Sequence, residues 1–114
     1  PESKEHAIIM LLELSGKVHF VATGVTIGVI SEGKADFHSI TVESQVEFSR
    51  LTRLECEEYC DSKEPFDKAG AYGIQGYGSV FVKEVKGSYS NIVGLPIYEV
   101  TKLFKKLNIP FWLN

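Results

Sequence analysis

Val18-His19-Phe20-Val21-Ala22-Thr23-Gly24-Val25-Thr26-Ile27-Gly28-Val29-Ile30 is the stretch that sets the architecture. It is rich in β-branched residues and apolar at both parities, with Val21, Val25, Ile27 and Val29 on one side and Val18, Phe20, Ala22 and Ile30 on the other. Such a pattern suits a long strand covered on both faces. Ser31-Glu32-Gly33-Lys34 reads as a turn, and from Ile40 the chain alternates, with Ile40, Val42, Val46 and Phe48 inward and Thr41, Glu43, Gln45 and Glu47 outward. The two segments predict a long antiparallel hairpin.

Helices flank it. Ser3 can cap a helix with Glu5 in its first turn, and Ala7, Ile8, Leu11, Leu12 and Leu14 fall mostly on one face before Gly16 ends it. Thr52-Arg53-Leu54-Glu55 has the spacing of a capping box, with Leu51 and Cys56 placed as a hydrophobic staple, so a second helix is expected to run to near Asp61. Glu64-Pro65 breaks the chain, Ser79 to Val85 reads as a short strand, and Lys86-Gly87-Ser88-Tyr89 turns it towards Asn91-Ile92-Val93. Pro96 fits the first turn of a last helix with Ile97, Val100, Leu103, Phe104 and Leu107 as its buried stripe, stopped by Asn108 and Pro110. Phe111 and Trp112 are expected to pack back on the body. The order is that of a mixed α/β fold with an elongated sheet.

The length of 114 residues fits one domain, and 44% hydrophobic with 24% charged residues is a globular composition. A formal charge of -3 gives no broad footprint for a nucleic acid polymer, although a few local cations suffice for a nucleotide. No apolar run reaches the roughly 20 residues of a membrane-spanning helix. The first residues lack the pattern of a signal peptide and two cysteines do not suggest a disulfide framework, so the expected setting is cytoplasmic. Cys56 and Cys60 are four apart on a predicted helix, but His6, His19 and His38 lie on other elements, so no zinc site is expected.

Candidate chemistry gathers at Asp67-Lys68-Ala69-Gly70-Ala71-Tyr72-Gly73-Ile74-Gln75-Gly76-Tyr77-Gly78, where four glycines surround polar side chains. Glycine at that density means unusual backbone conformation or backbone pressed close to something. The spacing is neither that of a phosphate-binding P-loop nor that of a dinucleotide-binding turn. Lys68 could neutralise a phosphate, Asp67 could orient that lysine or a loop amide, and Gln75 could hydrogen-bond a ligand or a metal-bound water. Equally, Asp67 and Lys68 could cap and solvate a turn while Gln75 satisfies local backbone.

The run from Glu64 to Gly76, followed by Gly87-Ser88-Tyr89-Ser90-Asn91-Ile92-Val93-Gly94-Leu95-Pro96, closely resembles the Maf-like family of nucleoside triphosphate pyrophosphatases. Leu14-Ser15-Gly16, His19 and Thr23-Gly24-Val25 stand in the order that family shows. The resemblance implies hydrolysis of nucleoside triphosphates to monophosphate and pyrophosphate with a divalent metal, magnesium or manganese, and a fold similar to inosine triphosphate pyrophosphatases. Ile74-Gln75-Gly76 looks like the branch preferring dTTP and UTP, whereas the branch acting on 7-methyl-GTP and CTP tends to carry glutamate at the place of Gln75. It implies Gln75 as the first active-site residue, with Lys68 and Asp67 on the substrate.

The family's Ser-x-Ser-Pro-Arg-Arg phosphate loop, its acidic metal ligands and its Lys-Pro pair do not occur here, and Pro1 looks like the proline of that pair. Residues 1–114 are therefore expected to be the C-terminal portion of a single Maf-like domain, without its N-terminal phosphate-binding part and with most metal ligands outside the chain. The family often forms homodimers, and an exposed edge of the hairpin offers one route. Two other readings are a noncatalytic nucleotide-sensing or scaffold domain of a larger fused protein, and a β-rich interaction domain, which leaves the glycines unexplained.

Overall fold

The computed structural model describes residues 1–111. Helix α1 (Lys4–Leu14) leads into β1 (Val18–Ser31) and β2 (Lys34–Phe48), then α2 (Arg53–Asp61), 3₁₀ turns at Glu64–Asp67 and Tyr77–Phe81, β3 (Val82–Lys86), α3 (Tyr89–Val93) and α4 (Ile97–Lys106). The three strands form an antiparallel sheet in the order β1-β2-β3, with Gln45 opposite Lys86 and Val46 opposite Val85. The chain is thus mixed α/β. It divides into two compact units, one made of Pro1–Phe20 and Gln45–Lys86, the other of Val21–Ser44 and the chain from Gly87 onward.

In the first unit, α1 packs on α2. Both helices are capped by their own sequence. The Ser3 side chain accepts the His6 amide at 3.1 Å, and Thr52 and Glu55 exchange the two bonds of the capping box at 3.1 and 2.8 Å. The predicted staple residues, Leu51 and Cys56, are both buried. Ala7, Ile8 and Leu11 meet a core that includes Val46 and Phe48 of β2, Tyr59 and Cys60 of α2, and Phe81. Ser15 and Gly16 lock the end of α1 to the segment after β2. The Leu51 amide donates to Ser15 Oγ at 2.7 Å and the Gly16 amide to the Ser49 carbonyl at 3.0 Å, while Gly16 takes φ 65°, which a side chain would strain. Cys56 and Cys60 are buried free thiols, raised above their ordinary range chiefly by burial, and so behave as small core residues.

The second unit is built on Asn91, which has no exposed surface. Its amide donates to the Val21 carbonyl at 2.9 Å and to Ser44 Oγ at 3.1 Å, and Ser44 Oγ donates on to the Ser88 carbonyl at 2.9 Å. Gly87 has φ +100°, and a Cβ there would stand 3.3 Å from Ser44 Cα, so this turn needs glycine twice over. Ser88 caps α3 through the Asn91 amide and donates to Glu99 of α4 at 2.6 Å. Helix α4 flanks Ile40, Thr41 and Val42, and its Phe104 ring lies 6.2 Å from Phe111.

Several boundaries differ from the sequence reading. Strand β2 begins at Lys34 rather than Ile40, and Ser79–Phe81 lies in a 3₁₀ turn so that β3 starts at Val82. The segment Asn91-Ile92-Val93 belongs to the short helix α3, because Ser88 supplies a cap that a simple turn reading overlooks. Residues of α4's stripe are half-buried at best and Ile97 is exposed. Strand β1 is covered on one face only: Val21, Val25, Ile27 and Val29 are half-buried, whereas Val18, Phe20 and Ile30 are 50%, 60% and 81% exposed. Phe111 reaches α4 as expected, and Trp112 lies outside the described residues.

Replacing Asn91 by alanine removes two bonds from a fully buried site and strands the Val21 carbonyl. The free energy of unfolding, measured by urea titration, is expected to fall by about 2 kcal/mol.

Candidate active site

The glycine-rich loop leaves α2 by the 3₁₀ turn at Glu64–Asp67 and rejoins the sheet through Tyr77–Phe81. Its glycines are not there for conformational freedom. The residue of the loop with a left-handed backbone is Ala71, at φ 69°, while Gly70, Gly73, Gly76 and Gly78 all have negative φ or extended backbone. Three of the four lie at close approach to other side chains, most tightly at Gly76 and Gly78. A Cβ on Gly76 would fall inside the Glu64 carboxylate, one on Gly78 would stand 2.7 Å from the Tyr59 hydroxyl, and one on Gly73 would stand 3.0 Å from Lys68 Cε and 3.2 Å from Glu64 Oε1. Gly70 has open space around it.

Tyr59 and Glu64 also satisfy the loop's amides. The Tyr59 hydroxyl accepts the Gly73 amide and Glu64 Oε2 accepts the Gly78 amide, both at 3.2 Å. Burial is the main reason the Tyr59 hydroxyl is held well above its ordinary range, and the nearby Glu64 carboxylate adds to the effect. Neither residue stood out in the sequence. The available signals are the spacing of Cys56, Tyr59 and Cys60, which puts all three on one side of α2, and a glutamate set immediately before a proline at the start of a 3₁₀ turn.

On its sheet side the loop is held by aromatic rings. Tyr72 stacks edge-on against Phe48 at 4.7 Å and His19 at 5.5 Å, and Phe81 joins Phe48 at 6.3 Å and Tyr59 at 5.1 Å. His19 Nε2 and the Tyr72 hydroxyl share a hydrogen bond of 2.6 Å. Among the described residues, the buried Nδ1 of His19 has no partner. Burial pushes the Tyr72 hydroxyl up to about 12 and holds His19 below the usual 6.5.

The residues expected to act on a ligand stand on the outside of this frame. Gln75, Asp67 and Lys68 are exposed, and Lys68 Nζ lies 3.7 Å from Asp67 Oδ1 with its alkyl stem against Gly73. Gln75 sits between the two amides fixed by Tyr59 and Glu64. Among the described residues no group of three or more His, Cys, Asp or Glu could hold a metal ion, so these side chains do not by themselves form a site for the divalent metal that the resemblance implies.

A neutral His19 gives a definite acid response. The unfolded chain takes up a proton near 6.5 that the folded protein resists, so this contribution to stability is complete above that value and is lost as pH falls through the lower folded-state value. Between about pH 7.5 and pH 5.5 the urea midpoint is expected to drop, and to drop less in His19→Phe, which keeps the ring contacts. Equal slopes in the two proteins would contradict this role for His19.

The family model described as "Maf-like protein" matches residues 1–107. The chain is 48% identical over 111 residues to a dTTP/UTP pyrophosphatase of Clostridium tetani, covering 96% of this chain and 56% of that relative. It is 45% identical over 115 residues to a dTTP/UTP pyrophosphatase of Saccharophagus degradans, covering all of this chain and 52% of the relative. A dTTP/UTP pyrophosphatase of Vibrio vulnificus is 52% identical over 94 residues, 82% of this chain and 48% of its own length. The chain thus spans about half the length of the curated relatives it matches. A family-model match over residues 1–107 and identities of 45% to 52% to these relatives lead to one assignment: the chain belongs to the Maf-like family.

Proposed function

We propose that this chain is the C-terminal portion of a nucleoside triphosphate pyrophosphatase acting on dTTP, UTP or related nucleotides, and that it supplies one wall of the substrate cleft. The observation that carries the reading is the presentation of Gln75. It is an exposed amide side chain on backbone fixed at Gly73 and Gly78, which suits a group that must meet a ligand at a set position. The names of the relatives, all dTTP/UTP pyrophosphatases, support the substrate class. The finer fold reading, an elongated sheet like that of inosine triphosphate pyrophosphatases, belongs to the same proposal, as do a cytoplasmic setting and a homodimer.

In this reading water adds across the bond between the α- and β-phosphates, leaving a nucleoside monophosphate and pyrophosphate. Lys68 offsets part of the triphosphate charge, Asp67 holds that lysine in place, and the Gln75 amide hydrogen-bonds the attacking water or a phosphate oxygen. The phosphate-binding loop and the ligands of the divalent metal come from outside this chain. The metal supplies charge neutralisation when bound.

Two outcomes test this. The isolated 114 residues are expected to release no measurable pyrophosphate from dTTP or UTP, because a substrate of about four negative charges meets too few cations here. In the full-length protein to which the segment belongs, Gln75→Ala is expected to lower kcat for dTTP about a hundredfold. Turnover by the isolated chain, or unchanged kinetics in the variant, would contradict the reading.

A further inference from the structure

Two side chains shape the glycine-rich loop from within, and the reading of Gln75 as a substrate-facing group leaves both without a role. The Gly73 amide donates to the Tyr59 hydroxyl, and the Gly78 amide donates to Glu64 Oε2. Burial holds the Tyr59 hydroxyl above its ordinary range, and the nearby Glu64 carboxylate adds to the effect. The Tyr59 hydroxyl thus holds the Gly73 amide and Glu64 holds the Gly78 amide, so that the loop is fixed at both shoulders of Gln75. The fit is steric as well as polar, since a Cβ at Gly76 would occupy the carboxylate itself.

A carboxylate suits this place because it is acceptor-only and has room for several donors at once. A glutamine there keeps one accepting oxygen but turns the other into an NH2 that cannot accept, and it loses the charge that strengthens the bond to the Gly78 amide. Hydrogen bonds to charged groups are the stronger kind, so the half-buried Glu64 carboxylate can hold the Gly78 end of a loop that is poor in apolar side chains. Glu64 faces the inside of the loop, while Lys68 and Gln75 are exposed.

We propose that Glu64 is a positioning residue for Gln75, acting through the loop backbone at Gly78 while Tyr59 holds the other shoulder at Gly73. The proposal rests on the reading of Gln75 given above. The test compares Glu64→Gln, Tyr59→Phe, Gln75→Ala and the double variant Glu64→Gln/Gln75→Ala in the full-length protein. The readouts are kcat and KM for pyrophosphate release from dTTP and amide hydrogen exchange across residues 73–78.

Glu64→Gln and Tyr59→Phe are each expected to lower kcat about tenfold, to leave KM within about twofold, and to speed exchange at the Gly73 and Gly78 amides. Tyr59→Phe keeps the ring packed against Phe81, so its effect does not depend on loss of the fold. The double variant is expected to be no slower than Gln75→Ala alone, because a residue that acts only through Gln75 adds nothing once Gln75 is gone. Unchanged kcat in Glu64→Gln beside an impaired Gln75→Ala, or losses that multiply in the double variant, would overturn the proposal. Unchanged kcat in Gln75→Ala would overturn the reading of Gln75 instead, and exchange then decides the rest: unaltered protection in Glu64→Gln would show that Glu64 does not hold the loop.

Discussion

Two hydrogen bonds at 3.2 Å, from Gly73 to the Tyr59 hydroxyl and from Gly78 to the Glu64 carboxylate, fix the segment on which the candidate chemistry depends. A loop with so many glycines has high conformational entropy when unfolded and little side-chain surface to bury in return. Its order must therefore come from polar partners and from the few large side chains that it owns. Tyr72 is one such side chain, seated on Phe48 and bonded to His19, and the Tyr59–Glu64 pair is the other anchor. Gly76 and Gly78 follow from the anchors, because a Cβ there would collide with the Glu64 carboxylate or the Tyr59 hydroxyl.

The rest of the first unit supports those anchors. Tyr59 is placed by α2, whose start is set by the Thr52–Glu55 capping box and whose inner face carries Cys56 and Cys60 against the core. Phe48 and His19 are placed by β2 and β1, and the clamp of Ser15 and Gly16 on residues 49–51 fixes where those strands begin and end. The Gly87–Pro96 segment serves a different purpose. It organises the second unit around Asn91, so its family signature reflects a buried polar centre in that unit.

Much of the fold was legible because it was written in local rules. The Ser3 cap, the capping box, the Glu32–Gly33 turn and the alternation of β2 each depend on residues close in sequence. The exposure of the outer face of β1 is not legible in sequence, because an apolar pattern states what a strand can bury and not what is there to cover it. Gln75, Asp67 and Lys68 were found as polar residues among glycines, whereas Glu64 and Tyr59 were not, since a glutamate 14 residues before the amide it accepts leaves no periodic trace. The glycines themselves point to close contact, and the contacts in the structure are with the protein's own carboxylate and phenol.

The most direct measurement is backbone and side-chain amide NMR of the full-length protein titrated with a non-hydrolysable dTTP analogue. The account predicts that the Gln75 side-chain amide and the backbone around Lys68 shift most, while the Gly73 and Gly78 amides keep the signature of their bonds to Tyr59 and Glu64. A titration that leaves residues 67–78 unmoved while the nucleotide binds elsewhere would contradict it.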